Sequence, residues 1–316
     1  MSKRTKLNIM KIYTNKINES WIIDRISEEW YENNVNISTK KINEADIIWI
    51  IANWTWKKIP KKALRKKKVV ASVYHIDFEI FGETEKQDFY KMDKYVDQYH
   101  VISLKTEEQL KRLTNKKIVS IPFWVNQKNW YQIEDKEKLR SKWGVRNNDY
   151  LVGSFQRDTE GSDLTSPKLI KGPDLLVDIL KKIKSENNNL KVVLAGTRRQ
   201  FVIKKLQELN IDFKYFEMVG IEDLNELYNI LDLYIVSSRL EGGPQAILEA
   251  SLIKTPIIST DVGIASEILH KSSIYVPDNI DKAEPMVEYA FKNSLDHTIP
   301  SGMEKYRQMF RGLNEN

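Results

Sequence analysis

Residues 233–254 have the sequence LYIVSSRLEGGPQAILEASLIK, and this stretch decides the predicted fold. The apolar segment Leu233–Ser237 is typical of a buried strand, and the glycine-containing turn Ser238–Gly243 follows it. Pro244 suits the first position of a helix, because its fixed φ and its missing N–H are harmless there. We therefore predict a strand, a turn and a helix that ends near Lys254. The open amides of the turn and the positive end of the helix dipole predict a site for an anion or a sugar phosphate.

Two carboxylates accompany this turn. Glu241 precedes its two glycines, and Glu249 lies in the helix, where its neighbours are apolar on nearly every side. A helix with that pattern is buried, and a buried carboxylate is unfavourable unless a polar group meets it. Two interpretations stay open. One is a structural ion pair, and the other is a ligand rich in hydroxyl groups, whose hydrogen bonds an ionised carboxylate accepts strongly.

Short β-branched strands alternate with amphipathic helices along the whole chain, which predicts parallel βαβ units. We therefore predict an α/β fold with two Rossmann-like domains that face each other across a cleft. Residues 1–145 should form the first domain, residues 146–301 the second, and a helix over residues 302–316 should return to the first. The predicted strands are Leu7–Tyr13, Val35–Ser38, Asp46–Ile51, Lys68–Tyr74, Gln98–Leu104, Lys117–Pro122, Tyr150–Phe155, Lys191–Ala195, Tyr215–Val219, Leu233–Ser237, Pro256–Thr260 and Ser273–Val276.

The charge of the chain is small but clustered. Its 316 residues include 50 Lys and Arg against 44 Asp and Glu, a formal net charge of +6. Eight of the basic residues fall within Lys57–Lys68. This segment is predicted to be either a solvated surface helix or a contact for phosphates, nucleic acid or an anionic membrane. It contains no aromatic residue, so stacking on single-stranded nucleic acid is not expected, and we predict no nucleic-acid partner.

Several functional classes are excluded by what the sequence lacks. The loop after the first strand has no Gly-x-Gly-x-x-Gly, which argues against a dinucleotide cofactor, and neither a P-loop nor a Gly-x-Ser-x-Gly motif is present. Four dispersed His and no Cys give little basis for a metal site. The longest apolar run, Ile47–Ala52, is far shorter than a membrane span, and the N-terminus lacks the features of a leader peptide. A cytoplasmic protein is therefore expected.

The segment Ser238–Glu249 resembles the characteristic motif of family 4 glycosyltransferases, which are retaining enzymes of the GT-B fold. That motif is a Glu, seven residues and a second Glu, with Gly and Pro after the first. Thr255–Ile268 is similar to the strand, glycine turn and helix that continue it, and the likeness covers most of Tyr150–Val276. Weaker likeness is found in the first domain. It lies at Asn18–Trp21, Tyr74–Asp77 and Ile121–Tyr131.

The resemblance implies a role for each matching residue of the motif. Glu249 is expected to hold the ribose hydroxyls of a nucleotide diphosphate sugar. Glu241, with the amides of Gly242 and Gly243 and the following Pro244, is expected to face the donor sugar. No cofactor beyond this donor substrate is implied. No metal is expected either, since cations and a helix dipole neutralise the diphosphate.

The resemblance also implies an Arg and a Lys that bind the diphosphate. Lys171 matches the Lys. Ser154 stands at the usual Arg position, so we predict that Arg157 supplies the second cation, with the inserted segment 159–170 between the two. A guanidinium presents a fork of donors that suits phosphate oxygens, whereas a solvated loop charge is the other interpretation of Arg157. The alternatives for this cation are Arg198 and Arg199.

His75 follows the fourth predicted strand, where the resemblance implies contact with the donor sugar near the scissile bond; a structural histidine is the alternative. The expected function is retaining, metal-independent transfer of a hexosyl or related group to a hydroxyl of a glycan, lipid-linked or small-molecule acceptor, as in polysaccharide biosynthesis. A nucleotide-sugar epimerase of the same fold and a catalytically lapsed nucleotide-sugar-binding protein are the alternatives. Contact of Lys57–Lys68 with the anionic inner face of a membrane would make the protein peripheral.

Overall fold

The computed structural model describes residues 10–17, 22–162 and 164–315, and these divide into two compact units. Unit 1 contains the described residues up to Phe123 and those from Pro300 onward, and unit 2 contains those from Trp124 to Ile299. Each unit is built on a parallel β-sheet with helices in the connections. The predicted α/β class with two parallel-sheet domains is confirmed. No helix in the described ranges is both long and apolar enough to span a bilayer.

In unit 1, five strands of the described chain form a parallel sheet and follow one another in sequence order. The strand β2 is buried along its whole length, as expected for an uninterrupted apolar sequence in a parallel sheet. The strands are β1 (Ile12–Thr14), β2 (Ile47–Ile50), β3 (Lys68–Val73), β4 (Gln98–Val101) and β5 (Ile118–Ser120). The helices that precede Phe123 in the described chain are α1 (Ile22–Asn33), α2 (Lys61–Leu64), α3 (Glu83–Asp93) and α4 (Leu104–Leu110).

The predicted second strand, Val35–Ser38, is wrong. Val35–Ile37 forms a 3-10 turn, and Ser38 makes an isolated parallel bridge to Ile12. Val35 is largely exposed, so its apolar side chain packs on nothing that would hold it in a sheet. A strand needs a row of half-buried side chains, and this segment is too short to supply one.

In unit 2, the described residues form a six-stranded parallel sheet with the order β11-β10-β9-β6-β7-β8. Strands are added to one side from β6 to β8 and to the other from β9 to β11, so the winding reverses between β6 and β9. The loops at the carboxyl ends of such a pair form the usual ligand crevice of this kind of sheet. The strands are β6 (Tyr150–Ser154), β7 (Leu190–Ala195), β8 (Asp212–Phe216), β9 (Leu233–Val236), β10 (Ile257–Thr260) and β11 (Ile274–Tyr275). The helices are α5 (Lys136–Lys142), α6 (Pro173–Glu186), α7 (Gln200–Glu208), α8 (Ile221–Ile230), α9 (Gln245–Leu252), α10 (Ala265–Ile268) and α11 (Val287–Leu295).

The segment between the two sheets packs on unit 2. Trp130 contacts the ring of Tyr228 in α8, with the ring centroids 5.7 Å apart. Arg140 is buried; its Nη2 lies 2.6 Å from Asp232 Oδ2, and its Nε donates to Ile230 O. The change of unit therefore falls after residue 123, whereas the boundary predicted from the sequence lies at residue 145.

The last helix, α12 (Ser301–Asn314), belongs to unit 1. Its Tyr306 and Phe310 are fully buried. The ring of Phe310 contacts those of Trp30 and Trp49, with centroids 5.5 and 5.4 Å apart. One face of this helix is therefore apolar at helical spacing, and the end of the chain completes the aromatic core of the unit in which the chain begins.

A buried histidine joins the sheet of unit 1 to α12. His100 Nε2 donates to Ile121 O over 2.8 Å, which leaves Nδ1 to accept from Ser72 Oγ, also at 2.8 Å. Ser72 Oγ in turn accepts from Trp49 Nε1, and the imidazole packs on the ring of Tyr306 with centroids 4.9 Å apart. Burial lowers the pKa of His100 to about 4, so the ring is neutral at pH 7.

The free energy of unfolding should therefore fall as the pH is lowered. The unfolded chain protonates His100 near pH 6.5 and the folded chain only near pH 4, so the stabilisation is complete above pH 6.5 and is lost as the pH falls to 4. This shift corresponds to about 3 kcal/mol. His100→Gln removes the titrating group, so urea unfolding should show the variant furthest below the wild type at pH 7 and closest to it at pH 4. A constant difference over this range would contradict the assignment.

Candidate functional site

The carboxyl ends of β6 and β9, where the winding of unit 2 reverses, carry most of the residues singled out from the sequence. The loop after β6 covers residues 155–172 and contains Arg157 and Lys171. The turn after β9 covers Ser237 to Pro244 and leads directly into α9. Because neighbouring parallel strands end at the same edge of the sheet, the two loops lie side by side.

Gly172 fixes the contact between these loops. It has a φ of 59° and a ψ of 42°, the left-handed region that favours glycine. A Cβ at this position would lie 1.8 Å from Ser237 O, which is closer than any real contact. Nearby, Ile170 O accepts hydrogen bonds from the amides of Arg239 and Leu240, at 2.8 and 3.1 Å. The backbones of the two loops are therefore joined directly.

Gln156 joins the same loops through its side chain. Its Nε2 donates to Lys171 O at 2.8 Å and to Ser237 Oγ at 3.1 Å, and its Oε1 accepts from Ser238 Oγ at 3.1 Å. Ser238 Oγ also lies 3.0 Å from Glu241 Oε1. The serine has one proton for these two acceptors. The amide of Gln156 and the serine hydroxyl thereby couple the position of Lys171 to that of Glu241, a role that was not predicted from the sequence.

Lys171 Nζ and Glu241 Oε1 form a partly buried ion pair, whose side chains are 20% and 13% exposed. Such a pair is shielded enough from water to be stronger than a surface pair, yet a ligand can still reach it. Gly242 and Gly243 follow the carboxylate. A Cβ at Gly263 would lie 2.5 Å from Gly242 O, so the glycine turn after β10 packs against this peptide and supports it.

Glu249 is buried in α9, beside a tyrosine of α8. Tyr228 Oη donates a hydrogen bond to Glu249 Oε2 at 3.3 Å. Burial, together with Tyr234 and the charge of Glu249, raises the pKa of Tyr228 well above its usual value, so this hydroxyl keeps its proton at neutral pH. The carboxylate is thus held by the core in one orientation, and it can serve as a fixed acceptor.

The loop after β6 brings three cations together. Burial and the nearby positive charges of Arg157 and Lys171 lower the pKa of Lys168. Lys171 N donates to Lys168 O at 2.8 Å. Lys168 therefore directly precedes the 3-10 turn Leu169–Lys171, and Lys171 ends it. Lys168 was not predicted from the sequence, where residues 159–170 had no assigned role. The sequence feature that indicates a role for Lys168 is its position three residues before Lys171.

The two alternative arginines make structural contacts. Arg199 is fully buried, and its Nη1 donates to Ser154 O at 2.8 Å and to Gln156 O. Its Nε lies 3.1 Å from Asp158 Oδ2. Arg198 donates from Nη2 to a carbonyl of the same loop. Arg199 therefore shapes the loop after β6 from the inside.

The remaining predicted site residue belongs to unit 1. His75 follows β3 and lines a cavity of that unit, whereas Arg157, Lys171, Glu241 and Glu249 all belong to unit 2. In the parts of the chain that the structure describes, no three His, Asp or Glu side chains are placed to share a metal ion. Outside the described residues lie Asn18–Trp21 and the first residues of the predicted strand Leu7–Tyr13.

One family model matches part of the chain. The family model described as glycosyl transferases group 1 matches residues 166–308, somewhat less than half of the chain. The matched range contains Lys168, Lys171, Glu241 and Glu249. No curated protein sequence matched the chain.

Solved structures are similar over nearly the whole chain. Alr3699/HepE of Anabaena, in complex with UDP and glucose, is 14% identical with a TM-score of 0.74, over 96% of this chain and 100% of that one. Sucrose-phosphate synthase of Thermosynechococcus elongatus is 14% identical with a TM-score of 0.69, over 95% and 80%. A glycosyltransferase of Rickettsia africae is 18% identical with a TM-score of 0.64, over 96% and 84%. Together with the two parallel sheets, these likenesses identify the fold as GT-B.

Gly172→Ala should destabilise unit 2. An alanine there meets both a left-handed φ and the carbonyl of Ser237, so we expect a loss of at least about 2 kcal/mol in unfolding free energy and a Tm lower by several degrees. Gly220→Ala is a control in the same unit, since the structure places nothing within 4 Å of a Cβ there. It should change the stability by less than about 1 kcal/mol. Equal Tm shifts in thermal unfolding would contradict the close approach of the loops.

Proposed function

We propose that this chain is a glycosyltransferase that takes a hexosyl or related group from a nucleotide diphosphate sugar. The observation that carries the proposal is the Lys171–Glu241 ion pair at the reversal between β6 and β9, just before α9. It places a cation suited to phosphate and a carboxylate suited to sugar hydroxyls together. The match of residues 166–308 to glycosyl transferases group 1 supports the proposal.

The proposed donor is a uridine diphosphate sugar, because the similar Anabaena structures contain UDP, UDP with glucose, or UDP-glucose. On this chain, the ribose hydroxyls would donate to Glu249. The diphosphate would bind Lys171, with Arg157 and the neighbouring Lys168 as further cations. The amides of the glycine turn and the N-terminus of α9 add positive partial charge.

A diphosphate that binds Lys171 competes with Glu241 for the same ammonium group. Once the lysine faces phosphate, the carboxylate of Glu241, which Ser238 holds, is able to accept from the donor sugar's hydroxyls. The cations then stabilise the negative charge that grows on the diphosphate as the bond from the anomeric carbon to the leaving oxygen breaks. Since these cations neutralise the diphosphate, the proposed transfer needs no divalent metal.

We propose that transfer retains the anomeric configuration, as the family 4 resemblance implies. The acceptor's hydroxyl oxygen bonds to the anomeric carbon on the face that the diphosphate leaves. The electron pair of the broken bond stays with the diphosphate, and the acceptor's proton passes to the departing phosphate oxygen. A double displacement would instead need a carboxylate nucleophile on the opposite face, and the sequence does not identify one. His75 is the residue proposed to contact the donor sugar near this bond.

The basic segment Lys57–Lys68 is proposed to bring the protein to the anionic inner face of a membrane. Six of its eight basic residues are exposed, and the segment contains no acidic residue. Each such cation near an anionic surface contributes about 1 kcal/mol of attraction at ordinary salt. The protein would then be cytoplasmic and peripheral.

Product analysis separates this proposal from its two alternatives. The protein is incubated with UDP-glucose or UDP-N-acetylglucosamine, with and without a hydroxyl acceptor. A transferase needs the acceptor, an epimerase changes the sugar without one, and a lapsed protein binds the nucleotide sugar saturably without forming product. Activity in the presence of a chelator tests metal independence. Failure to bind any nucleotide or nucleotide sugar would overturn the proposal.

Glu249→Gln should weaken UDP binding about ten- to a hundredfold. The substitution keeps the size of the side chain and removes the charge that accepts from ribose, and a charge-assisted hydrogen bond contributes roughly 1.5–3 kcal/mol. Glu241→Gln should leave UDP binding equal or tighter, since Lys171 loses a competing carboxylate. It should weaken binding of UDP-glucose or lower turnover, because its proposed partner is the sugar. Calorimetry with both ligands measures these effects.

Glu288→Gln is the matched control for both variants. Glu288 is an exposed carboxylate of unit 2 that pairs with Lys254. This substitution should leave both affinities unchanged. If Glu249→Gln keeps the wild-type affinity for UDP while its circular dichroism spectrum is intact, the buried carboxylate is structural and the donor-site assignment fails.

A further inference from the structure

A cluster of aromatic side chains lies beside Glu249 in the core of unit 2. Tyr228 of α8 is buried, and its ring contacts those of Phe155, Tyr234 and Trp130, with centroids 4.7, 5.0 and 5.7 Å apart. Phe155 begins the loop after β6 and Tyr234 lies in β9, so the cluster spans the reversal of the sheet winding. A phenylalanine at position 228 would fill this space equally well. Packing alone therefore does not account for the hydroxyl group, which needs a polar partner.

Backbone contacts fix α8 against α9 at this tyrosine. Thr255 Oγ1 donates to Tyr228 O at 3.0 Å, and Thr255 N donates to Ala250 O at 2.9 Å near the end of α9. The threonine is itself buried. One residue therefore joins Tyr228 to the helix that carries Glu249, and the hydroxyl meets the carboxylate at a set position.

The tyrosine hydroxyls form a relay of hydrogen bonds that ends at the carboxylate. Tyr228 Oη donates to Glu249 Oε2 at 3.3 Å. The side chains of Tyr228 and Tyr234 are hydrogen-bonded to each other, and Phe155 N donates to Tyr234 Oη at 3.1 Å. A hydroxyl has one proton, so the bond between the tyrosines uses the proton of Tyr234 when that of Tyr228 is on Glu249. Every donor in this hydroxyl relay is then directed toward the carboxylate.

Both hydroxyls of the relay keep their protons at neutral pH. Burial raises the pKa of Tyr234 to about 12, and it raises the pKa of Tyr228 well above the usual value. Consecutive hydrogen bonds polarise one another, and a low dielectric strengthens them. Glu249 is therefore oriented by a neutral donor that does not titrate near pH 7.

The hydroxyl relay also ties Glu249 to the loop after β6. Its first donor is the amide of Phe155, and the next residue, Gln156, donates from its side chain to Lys171 O at 2.8 Å. The same loop contains Arg157. One oxygen of the carboxylate is thus connected through two tyrosines to the backbone that presents the cations of the site.

We infer that Tyr228 and Tyr234 are positioning residues, which orient Glu249 and make unit 2 select ribonucleotides over deoxyribonucleotides. This inference rests on the proposed function, in which Glu249 accepts from the ribose hydroxyls. A carboxylate that the core holds in one orientation cannot turn toward another donor when a sugar hydroxyl is missing. A buried site built to bond a hydroxyl rejects the analogue that lacks it, since the polar group of the site loses a partner. The donor class is then a ribonucleoside diphosphate sugar, and deoxythymidine diphosphate sugars are disfavoured.

Nucleotide affinities test the selection directly. Calorimetry on the wild type should show UDP bound at least about tenfold more tightly than 2′-deoxy-UDP, the effect of losing one hydrogen bond to a charged group. Tyr228→Phe should weaken UDP about tenfold and 2′-deoxy-UDP less, so that the preference falls. A hydroxyl that only stabilises the core would weaken both nucleotides by the same factor. That result, or equal binding of the two nucleotides by the wild type, would overturn the inference.

Tyr99→Phe is the matched control. Tyr99 is a fully buried tyrosine of unit 1, and its Oη donates to Asp93 Oδ1 at 2.9 Å. This variant loses the same kind of hydrogen bond in the other unit, so its unfolding free energy should fall as in Tyr228→Phe while its preference for UDP stays at the wild-type value. A loss of preference in Tyr99→Phe would show that reduced stability, rather than the orientation of Glu249, causes the effect.

Two further measurements test the hydroxyl relay itself. Tyr234→Phe removes the donor to Tyr228 Oη and should lower the preference for UDP over 2′-deoxy-UDP. An unchanged preference would contradict the place of Tyr234 in the relay. In urea unfolding without nucleotide, Tyr228→Phe and Glu249→Leu should be non-additive, because each breaks the same hydrogen bond. Additive losses would overturn the positioning of Glu249 by Tyr228.

The outcomes separate this inference from the proposed function. If the wild type binds neither UDP nor UDP-glucose, the proposed function fails and the nucleotide selection fails with it, whereas the unfolding measurements still decide whether Tyr228 orients Glu249. If the wild type binds UDP normally and 2′-deoxy-UDP with the same affinity, this inference alone fails.

Discussion

The close approach of two backbones at the carboxyl ends of β6 and β9 is the constraint on which the site of unit 2 depends. Gly172 has no Cβ, so Ser237 O occupies the space that a side chain would need. Every buried backbone group requires a partner, and the amides of Arg239 and Leu240 supply Ile170 O with two. The lysine before Gly172 and the carboxylate after Ser238 are therefore set by backbone contacts. The relative position of Lys171 and Glu241 therefore does not depend on their flexible side chains alone.

Two ion pairs near this edge differ in burial, and the difference decides what each can do. Arg199 and Asp158 are almost completely buried, and burial raises the pKa of Asp158 to about 6 even though the charge of Arg199 opposes the shift. No ligand can replace a partner in such a pair, so it is structural. Lys171 and Glu241 keep part of their surface in solvent. An incoming anion can therefore exchange with the carboxylate, which is the property a binding site needs.

The elements that could be predicted are those whose pattern is local. The buried strand, the glycine turn and the helix of residues 233–252 follow from apolar spacing and turn residues, and the parallel sheets follow from their repetition. The edge strand Asp212–Phe216 begins three residues before the predicted Tyr215–Val219, because a strand at the edge of a sheet is polar and partly exposed and has no apolar run to mark it. Gln156 could not be assigned from the sequence, since its role arises from neighbours in another loop. For Lys168 the sequence shows the spacing from Lys171, but not the burial that lowers its pKa.

The serine at position 154, where the resemblance to family 4 glycosyltransferases implies an arginine, has a physical explanation in the same loop. Ser154 is buried at the end of β6, and the guanidinium of Arg199 binds its carbonyl and lies 3.4 Å from its hydroxyl. A side chain at this position faces the interior, where a second guanidinium would meet a like charge and lose its solvation. In the proposed site, a cation for the diphosphate would therefore come from further along the loop. Arg157 and Lys168 lie there, and the inserted residues between them give the chain the length to present both.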